Sequence, residues 1–471
     1  MRTLIADGTV VSATGRVRAD VVVSGEVIEA VVAPGSEIAE SLRRSGDVRL
    51  IDAADRYVVP GGVDVHTHME LPFGGTYASD TFETGTRAAA HGGTTTIVDF
   101  AVQREGEDVR ECLDAWFAKA EGQCAIDYGF HMILGGIDER SLKEMDTLVN
   151  DGITSFKLFM AYPGVLYSDD GKILQAMQQA HHNGGLIMMH AENGIAIDVI
   201  AAQAAARGQT DPVYHGITRP PRLEGEATYR AIQLALVAGT PVYFVHLSAS
   251  DALAHVAAAR NEGYNVFAET CPQYLYLNLE EHLGAPGFAG AGYVCSPPLR
   301  SRHETHHADL WRGLRTNDLC VVSTDHCPFC MKEQKELGRD DFRLIPNGLG
   351  VVEHRMDLIY QGVVQGELSL ERWVETCATT PARMFGLYPR KGSITPGADA
   401  DVVIYDPTTV SRISAETHHM NMDYSCFEGF EIAGTVETVL SRGRVVVDGG
   451  NYLGSPGDGV YLRRSLSQYL L

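Results

Sequence analysis

Long apolar runs are absent from this sequence, and basic residues are scarce. No uninterrupted apolar stretch reaches the roughly 18 residues that a membrane-spanning helix needs, so no such helix is expected. The 38 Lys and Arg residues are outnumbered by 61 Asp and Glu residues, and the formal net charge is -23. Because nucleic acid and anionic membrane surfaces repel an acidic protein, we expect neither as a partner.

Cysteine is present but not in a disulfide pattern. The nine cysteines are an odd number scattered over 471 residues, which favours reduced thiols in a cytoplasmic protein. The N-terminus also lacks the apolar core of a signal peptide. Cys327 and Cys330 form a C-x-x-C motif without a second pair that could complete a zinc knuckle. We interpret both as ordinary buried or loop thiols.

The order of strand-like segments predicts the fold class. Residues 1–55 contain short β-branched segments separated by glycines, and from Tyr57 apolar strands alternate with amphipathic helices. Eight strands are predicted in this second region: Val58–Val65, Thr95–Phe100, Tyr128–Leu134, Ser155–Phe159, Leu186–His190, Val242–His246, Asn265–Glu269 and Leu319–Asp325. This pattern predicts an α/β fold, a (β/α)₈ TIM barrel over residues 56–385.

The two ends of the chain are predicted to form a second domain. Residues 386–471 are rich in β-branched residues again, as residues 1–55 are. We therefore expect residues 1–55 and 386–471 to combine into one small β-sandwich beside the barrel, with a C-terminal tail.

Polar residues end or interrupt several predicted strands, at the edge where barrel enzymes carry out chemistry. His66 and His68 end the first strand and, as residues i and i+2, project to the same face. Strands four, five, six and eight contribute the other candidates: Lys157, His190, His246 and Asp325. Imidazole and carboxylate groups are ordinary ligands of zinc and similar metals. An isolated His-x-His pair is more often structural, but the joint pattern predicts a metal centre.

Lys157 is the candidate that does not normally bind a cation. It lies between Phe156 and Leu158 in an apolar strand, where loss of hydration lowers its pKa and favours the neutral amine. A neutral amine can react with carbon dioxide to give a carbamate, whose two oxygens can bridge two metals. A lone lysine in such a strand is more often a snorkelling or salt-bridged residue. The metal-type residues at matched strand ends favour the carbamate.

Longer motifs surround these positions. They are Asp64–Gly75, Gly85–Ala90, Gly92–Thr95, Phe156–Tyr162, His190–Asn193, Cys295–Arg300, Ser323–Cys327, Gly338–Phe342 and Ile345–Gly348. With these motifs the chain closely resembles the cyclic amidohydrolases, in particular the branch of dihydropyrimidinases and D-hydantoinases, over nearly its whole length. The resemblance implies a hydrolase that opens the cyclic amide bond of 5,6-dihydropyrimidines or 5-substituted hydantoins to give N-carbamoyl amino acids.

The resemblance also implies cofactors and an assembly. It implies two divalent metal ions, usually Zn²⁺, bridged by a hydroxide and by an N6-carboxylated Lys157. By the same resemblance, one metal would be held by His66, His68 and Asp325, and the other by His190 and His246. A small cyclic amide is the implied partner molecule, and a homotetramer the implied assembly.

The resemblance assigns roles on the substrate side as well. Asp325 would take the hydroxide proton and deliver it to the leaving nitrogen. The hydroxyl of Tyr162 would stabilise the oxyanion, and the backbone around Ser296 and Asn347 would hydrogen-bond the amide edge of the ring. The walls of the substituent pocket would come from three apolar loop residues, for which plain loop packing is the alternative: Phe73, Phe159 and Leu166.

Several features leave alternatives open. His306 and His307 could suggest a third metal, but adjacent residues on a helix face different ways, so we predict both to be exposed. Glu70 stands two residues after the second histidine, where dihydroorotases carry an arginine for the substrate carboxylate, and this favours a neutral ring. An allantoinase-like activity on another cyclic ureide is the enzymatic alternative. The alternative from another class is a non-catalytic scaffold, which the six retained candidate ligands disfavour.

Overall fold

Eight parallel strands form a nearly closed barrel in the computed structural model, which describes residues 2–469. Each strand pairs with the next one along the chain, as in a (β/α)₈ barrel. The strands are Gly62–Thr67, Thr94–Gln103, Asp127–Leu134, Ser155–Phe159, Leu186–His190, Val242–Phe244, Val266–Thr270 and Val321–Val322. The predicted fold class is confirmed.

The first and eighth barrel strands meet through the segment that follows the eighth. The backbone N–H of His68 donates to the carbonyl of His326 at 2.8 Å, and the N–H of His326 donates to the carbonyl of His66 at 3.3 Å. These bonds place the histidines at the end of the first strand directly against the segment that carries Asp325. Closure of the barrel and assembly of the candidate site therefore depend on the same contacts.

Helices alternate with the barrel strands, and several begin at a side-chain cap. Thr81, Asp108, Asp138 and Asp169 each accept a hydrogen bond from a backbone N–H in the first turn of the following helix. The longer helices are Phe82–His91, Val109–Ala120, Glu139–Asn150, Asp170–Asn183, Gly194–Ala206, Pro221–Ala238, Ser250–Asn261, His306–Thr316 and Arg355–Val364. No helix among residues 2–469 is both long and apolar enough to cross a membrane.

Short helical turns connect these elements. The α-helical ones are Tyr214–Ile217, Pro272–Tyr276, Leu370–Val374 and Thr380–Met384. Turns of 3₁₀ or π type are Leu279–Leu283, Gly287–Tyr293, Lys335–Gly338, Phe342–Leu344 and Glu375–Thr379. A two-stranded hairpin, Pro72–Phe73 with Thr76–Tyr77, lies in the loop after the first barrel strand.

In residues 2–469, nine strands from both chain ends form one separate mixed sheet, so the two ends combine as the sequence predicts. They are Arg2–Ser12, Gly15–Ser24, Val27–Val32, Val48–Asp52, Tyr57–Pro60, Val402–Arg412, Glu431–Ser441, Arg444–Asp448 and Asn451–Tyr452. The two ends join where Tyr57–Pro60 pairs antiparallel with Val402–Arg412. Residues 1–55 are not purely β-structured, because the short helix Glu37–Arg44 follows the third strand.

The predicted strand Val58–Val65 is wrong as a single element. Tyr57–Pro60 belongs to the mixed sheet and Gly62–Thr67 to the barrel. The chain crosses between the sheets at Gly61, where an added Cβ would lie 2.1 Å from the Thr95 hydroxyl oxygen. The apolar run is continuous because both strands are buried, so hydrophobicity alone does not reveal the break.

Candidate metal centre and active site

Three of the predicted ligands form a compact group at the C-terminal end of the barrel. The ligand atoms of His66, His68 and Asp325 all lie within 4.8 Å of one another. Oδ1 of Asp325 is 3.0 Å from Nε2 of His66 and 3.3 Å from Nε2 of His68. Burial lowers the pKa of His68 to about 3, so its imidazole is neutral and its nitrogen lone pair is available to a metal.

Lys157 lies beside this group, as the sequence predicts, with its Nζ 2.9 Å from Nε2 of His66. The side chain is buried, and Nζ lies 4.4 Å from the ring centroid of Phe100 and 5.0 Å from that of Phe159. Burial lowers the pKa of Lys157 to about 8, although the nearby Asp325 carboxylate opposes this shift. The amine is therefore much closer to neutrality than that of an exposed lysine.

His190 and His246 form the second part of the centre. Nδ1 of His190 is 2.9 Å from Nε2 of His246, and Nε2 of His190 is 2.9 Å from a carboxylate oxygen of Glu192. Burial lowers the pKa of His246 well below its usual value, and its Nδ1 has no hydrogen-bond partner in residues 2–469. The two facing nitrogen atoms make a pair that one metal ion could bind.

The backbone is strained at three of the site residues. Tyr162 has φ 58°, His246 has φ 42° and Asp325 has φ 51°, all in the left-handed region that non-glycine residues rarely adopt. Such conformations persist only where the surrounding structure enforces them, and they cluster at functional sites. The sequence does not mark these positions, because none of the three is a glycine, the residue type that adopts this region freely.

Glu269, which is not among the residues predicted from the sequence, orients His66. One carboxylate oxygen lies 2.5 Å from Nδ1 of His66 and 3.1 Å from the backbone N–H of His246. The other accepts a hydrogen bond of 2.7 Å from the hydroxyl of Tyr243. An imidazole that donates Nδ1–H to a carboxylate presents its Nε2 on the opposite side, here toward Lys157 and Asp325. Glu269 ends the predicted seventh strand, so the rule that identified the other candidates could have found it.

Three predicted substrate-binding residues meet on the other side of the pocket. Tyr162, Ser296 and Asn347 line the pocket together with Lys157 and Asp325. Nδ2 of Asn347 donates to Oγ of Ser296 at 3.1 Å. Burial raises the pKa of Tyr162 to about 12, so its hydroxyl stays protonated and can donate a hydrogen bond at neutral pH.

Apolar side chains complete the pocket wall. Phe73, Phe159 and Leu166 all line it, and the ring centroid of Phe73 is 5.3 Å from that of Tyr162. The inner pocket shares Arg104 and several other residues with a larger outer cavity of about 1070 Å³. A small ring with an apolar substituent fits this combination of a polar floor and apolar walls.

The prediction that His306 and His307 are exposed is wrong. His306 is 4% exposed, and its Nδ1 accepts a hydrogen bond of 3.0 Å from the backbone N–H of Ser250. His307 is partly buried and its Nε2 donates to the carbonyl of Leu277 at 2.9 Å. Both rings serve contacts between neighbouring segments, and neither belongs to a metal-type cluster in the described part of the chain.

Glu70 does not face the substrate pocket. Its carboxylate accepts a hydrogen bond of 3.4 Å from the backbone N–H of Phe82, and it is not among the pocket-lining residues. Glu70 is therefore not placed to repel an anionic ring.

All nine cysteines are free thiols. Cys327 is buried and Cys330 is partly buried, as predicted for ordinary buried or loop thiols.

The comparisons with known proteins agree with this geometry. The amidohydrolase family matches residues 57–446. This chain belongs to the amidohydrolase family. Among curated family relatives, it is 62% identical over 469 residues to a D-hydantoinase of Streptomyces coelicolor, covering 100% of this chain and 99% of the relative. It is 46% identical to a D-hydantoinase of Geobacillus stearothermophilus, with 99% and 97% of the two chains covered.

A solved amidohydrolase structure supports the same fold. The crystal structure of dihydropyrimidinase from Brevibacillus agri superposes with a TM-score of 0.95 at 46% sequence identity, covering 99% of each chain. The region matched by the amidohydrolase family includes all six candidate metal ligands and the three candidate substrate contacts.

Proposed function

We propose that this chain is a metal-dependent hydrolase that opens the cyclic amide bond of 5,6-dihydropyrimidines or 5-substituted hydantoins. The observation that carries the proposal is the convergence of four histidines, an aspartate and a buried lysine beside a pocket with apolar walls. Similarity to proteins named D-hydantoinase and dihydropyrimidinase supports the choice of ring. Water adds across the ring C–N bond: the carbonyl carbon gains oxygen, the nitrogen gains a proton, and an N-carbamoyl amino acid results.

The donor set fits two divalent metal ions, and neutral imidazoles with carboxylates suit Zn²⁺ best. His66, His68 and Asp325 would hold one ion, His190 and His246 the other, and a carboxylated Lys157 would be shared. Bound there, the metals would generate a nucleophile from water at neutral pH and polarise the ring carbonyl.

The surroundings of Lys157 support its carboxylation. The neutral amine forms a C–N bond to carbon dioxide and releases a proton, which turns a cation into a carboxylate-like group. Burial and the lowered pKa favour the neutral amine, and no carboxylate among residues 2–469 forms an ion pair with it. The reactive form is therefore accessible near neutral pH.

Asp325 and Tyr162 are positioned to handle the proton and the developing charge. Burial alone would raise the pKa of Asp325, but the neighbouring His66 and His68 hold it well below its usual range. The ionised carboxylate can accept a proton at neutral pH and transfer it to the leaving ring nitrogen. The protonated hydroxyl of Tyr162 can donate to the oxygen on which negative charge develops.

We further propose a homotetramer in the cytoplasm. The assembly rests on the family resemblance, and the location on the reduced cysteines. A mass in solution near four times 51.1 kDa would support the tetramer, and a mass near 51.1 kDa would contradict it.

The proposed activity is tested by side-by-side hydrolysis of dihydrouracil, both enantiomers of 5-phenylhydantoin, dihydroorotate and allantoin. Zinc-loaded protein is compared with metal-stripped protein. We expect zinc-dependent opening of dihydrouracil or a hydantoin, with dihydroorotate inert. Turnover of allantoin alone would favour the alternative activity on another ureide. No turnover of any ring by protein with two bound metals would overturn the substrate assignment.

A further inference from the structure

Two chain segments carry the proposed contacts to the amide edge of the ring. Val294–Ser296 and Pro346–Gly348 lie side by side, and the backbone N–H of Gly348 donates to the carbonyl of Val294 at 3.0 Å. The Asn347 side chain also donates to Ser296 at 3.1 Å. The distance between the two segments therefore sets the spacing of any backbone groups that hold the ring.

Both segments are bonded to one buried lysine. Nζ of Lys335 donates to the carbonyls of Val294 at 3.0 Å, Pro346 at 2.7 Å and Gly348 at 2.9 Å. An ammonium group has three N–H donors, so these three bonds use all of them. Two of the acceptors flank Asn347 directly in the chain, and the third lies two residues before Ser296.

The surroundings of Lys335 are unusual for a buried cation. The side chain is 0% exposed, and no carboxylate in residues 2–469 forms an ion pair with it. A buried charge without a counterion is costly, and here burial lowers the pKa of Lys335 to about 7. A neutral amine has only two donors, so the three carbonyl contacts are fully satisfied only by the ammonium form. The structure maintains this costly arrangement beside the substrate pocket.

The segment bonded by Lys335 has little room to adjust by itself. Gly348 has φ 153°, and a Cβ there would lie 2.1 Å from the carbonyl oxygen of Cys327. The backbone at Gly348 therefore packs directly on the residue two positions after Asp325. A shift of this segment would alter its position relative to the candidate metal centre.

We propose that Lys335 is a positioning residue that holds the Ser296 and Asn347 segments at the spacing that binds the amide edge of the ring. The inference rests on the proposed function and assigns to Lys335 no contact with the substrate. Its consequence is selective: without Lys335 the ring binds less tightly, while the metal ligands keep their positions.

The test is the kinetics of Lys335→Met, which removes the donors but keeps the length and apolar stem of the side chain. We expect KM for dihydrouracil and 5-phenylhydantoin to rise about tenfold, the effect of losing a net hydrogen-bond contribution. We expect kcat to change less than about threefold, since the ligands of the metals are untouched. Zinc content per chain should equal that of the wild type.

A second buried lysine provides a matched control. Lys391 contacts three aspartates away from the pocket, so Lys391→Met should lower stability without changing KM. Lys335→Gln retains two donors, so it should raise KM less than the methionine variant does. If Lys335→Met does not fold, the KM of Lys335→Gln tests the proposal in its place. An unchanged KM in a folded, zinc-loaded Lys335 variant would overturn the proposal. Absence of turnover in the wild type would instead overturn the proposed function on which it rests.

Discussion

Lys157 is buried at the mouth of the barrel, Lys391 is buried at the junction of the barrel with the mixed sheet, and the surroundings of these two lysines are opposite. Lys391 at the junction contacts Asp127 at 2.6 Å, Asp401 at 2.8 Å and Asp399 at 2.9 Å. Lys157 at the mouth has His66 and two aromatic rings as its close neighbours. Burial alone would lower the pKa of Lys391, but its three carboxylates raise it, whereas burial lowers that of Lys157.

The comparison shows that the neighbours of a buried lysine decide its role. A cation among carboxylates is held charged and joins the barrel to the mixed sheet, since Asp127 begins a barrel strand and Asp401 precedes a strand of the sheet. An amine among aromatic and imidazole rings is held near neutrality and can react. Four variants test whether the junction serves stability and the barrel mouth serves chemistry.

Lys157→Ala should have the largest effect. Loss of the side chain removes the carboxylate proposed to be shared by both metals, so kcat/KM should fall at least about 10³-fold, equal to about 4 kcal/mol. Added acetate or propionate could occupy the vacated volume and should restore part of the activity. Hydrolysis of dihydrouracil and zinc content, measured with and without the acids, provide the check. A variant with full activity and both metals in the absence of added acid would contradict the carboxylation.

Lys391→Met should affect stability rather than chemistry. It leaves three buried carboxylates near one another without their shared cation, which should cost about 3–5 kcal/mol of unfolding free energy. Urea denaturation measures this cost, and kcat/KM per zinc-loaded site should not change. The exposed Lys143→Met is the control and should alter stability by less than about 0.5 kcal/mol. Loss of kcat/KM in folded Lys391→Met protein would refute the separation of roles.

Tyr162→Phe should reduce kcat about 10²- to 10³-fold, because it removes one hydrogen-bond donor to the developing oxyanion. The ring packing against Phe73 is retained, so KM should change little. Steady-state kinetics of this variant are compared with those of Tyr167→Phe, a control from the same loop. Equal kcat values for both variants would remove Tyr162 from the proposed mechanism.

Glu269→Gln should have the smallest effect of the four. The Glu269 carboxylate is not one of the candidate metal ligands, but it orients His66. Loss of a residue that orients a ligand typically weakens metal affinity about 10- to 100-fold. Competition for zinc with a chelator measures the affinity. Glu262→Gln, an exposed residue near the start of the same strand, is the matched control. Wild-type zinc affinity in Glu269→Gln would show that His66 needs no such support.

The periodicity of the sequence was enough to predict the barrel and most of the candidate site. Buried parallel strands have nearly continuous apolar sequences. A polar residue at the end of such a sequence, as His190 and Asp325 are, is therefore easily recognised as a candidate site residue. The same pattern could not reveal that the run from Tyr57 to Thr67 belongs to two sheets. Both halves are equally buried, and only the pairing partners of each half distinguish them.

The tertiary structure decided what the residue types alone could not. The sequence determined which groups are available: four histidines, an aspartate and a lysine at matched strand ends. The fold determined their surroundings, through contacts between segments far apart in the chain such as His66 with Glu269 and Lys335 with Val294. A buried lysine can be an ion-pair partner, a reactive amine or a clamp on backbone carbonyls. Coulomb interactions and desolvation depend on distance in space, so the sequence by itself does not distinguish these roles.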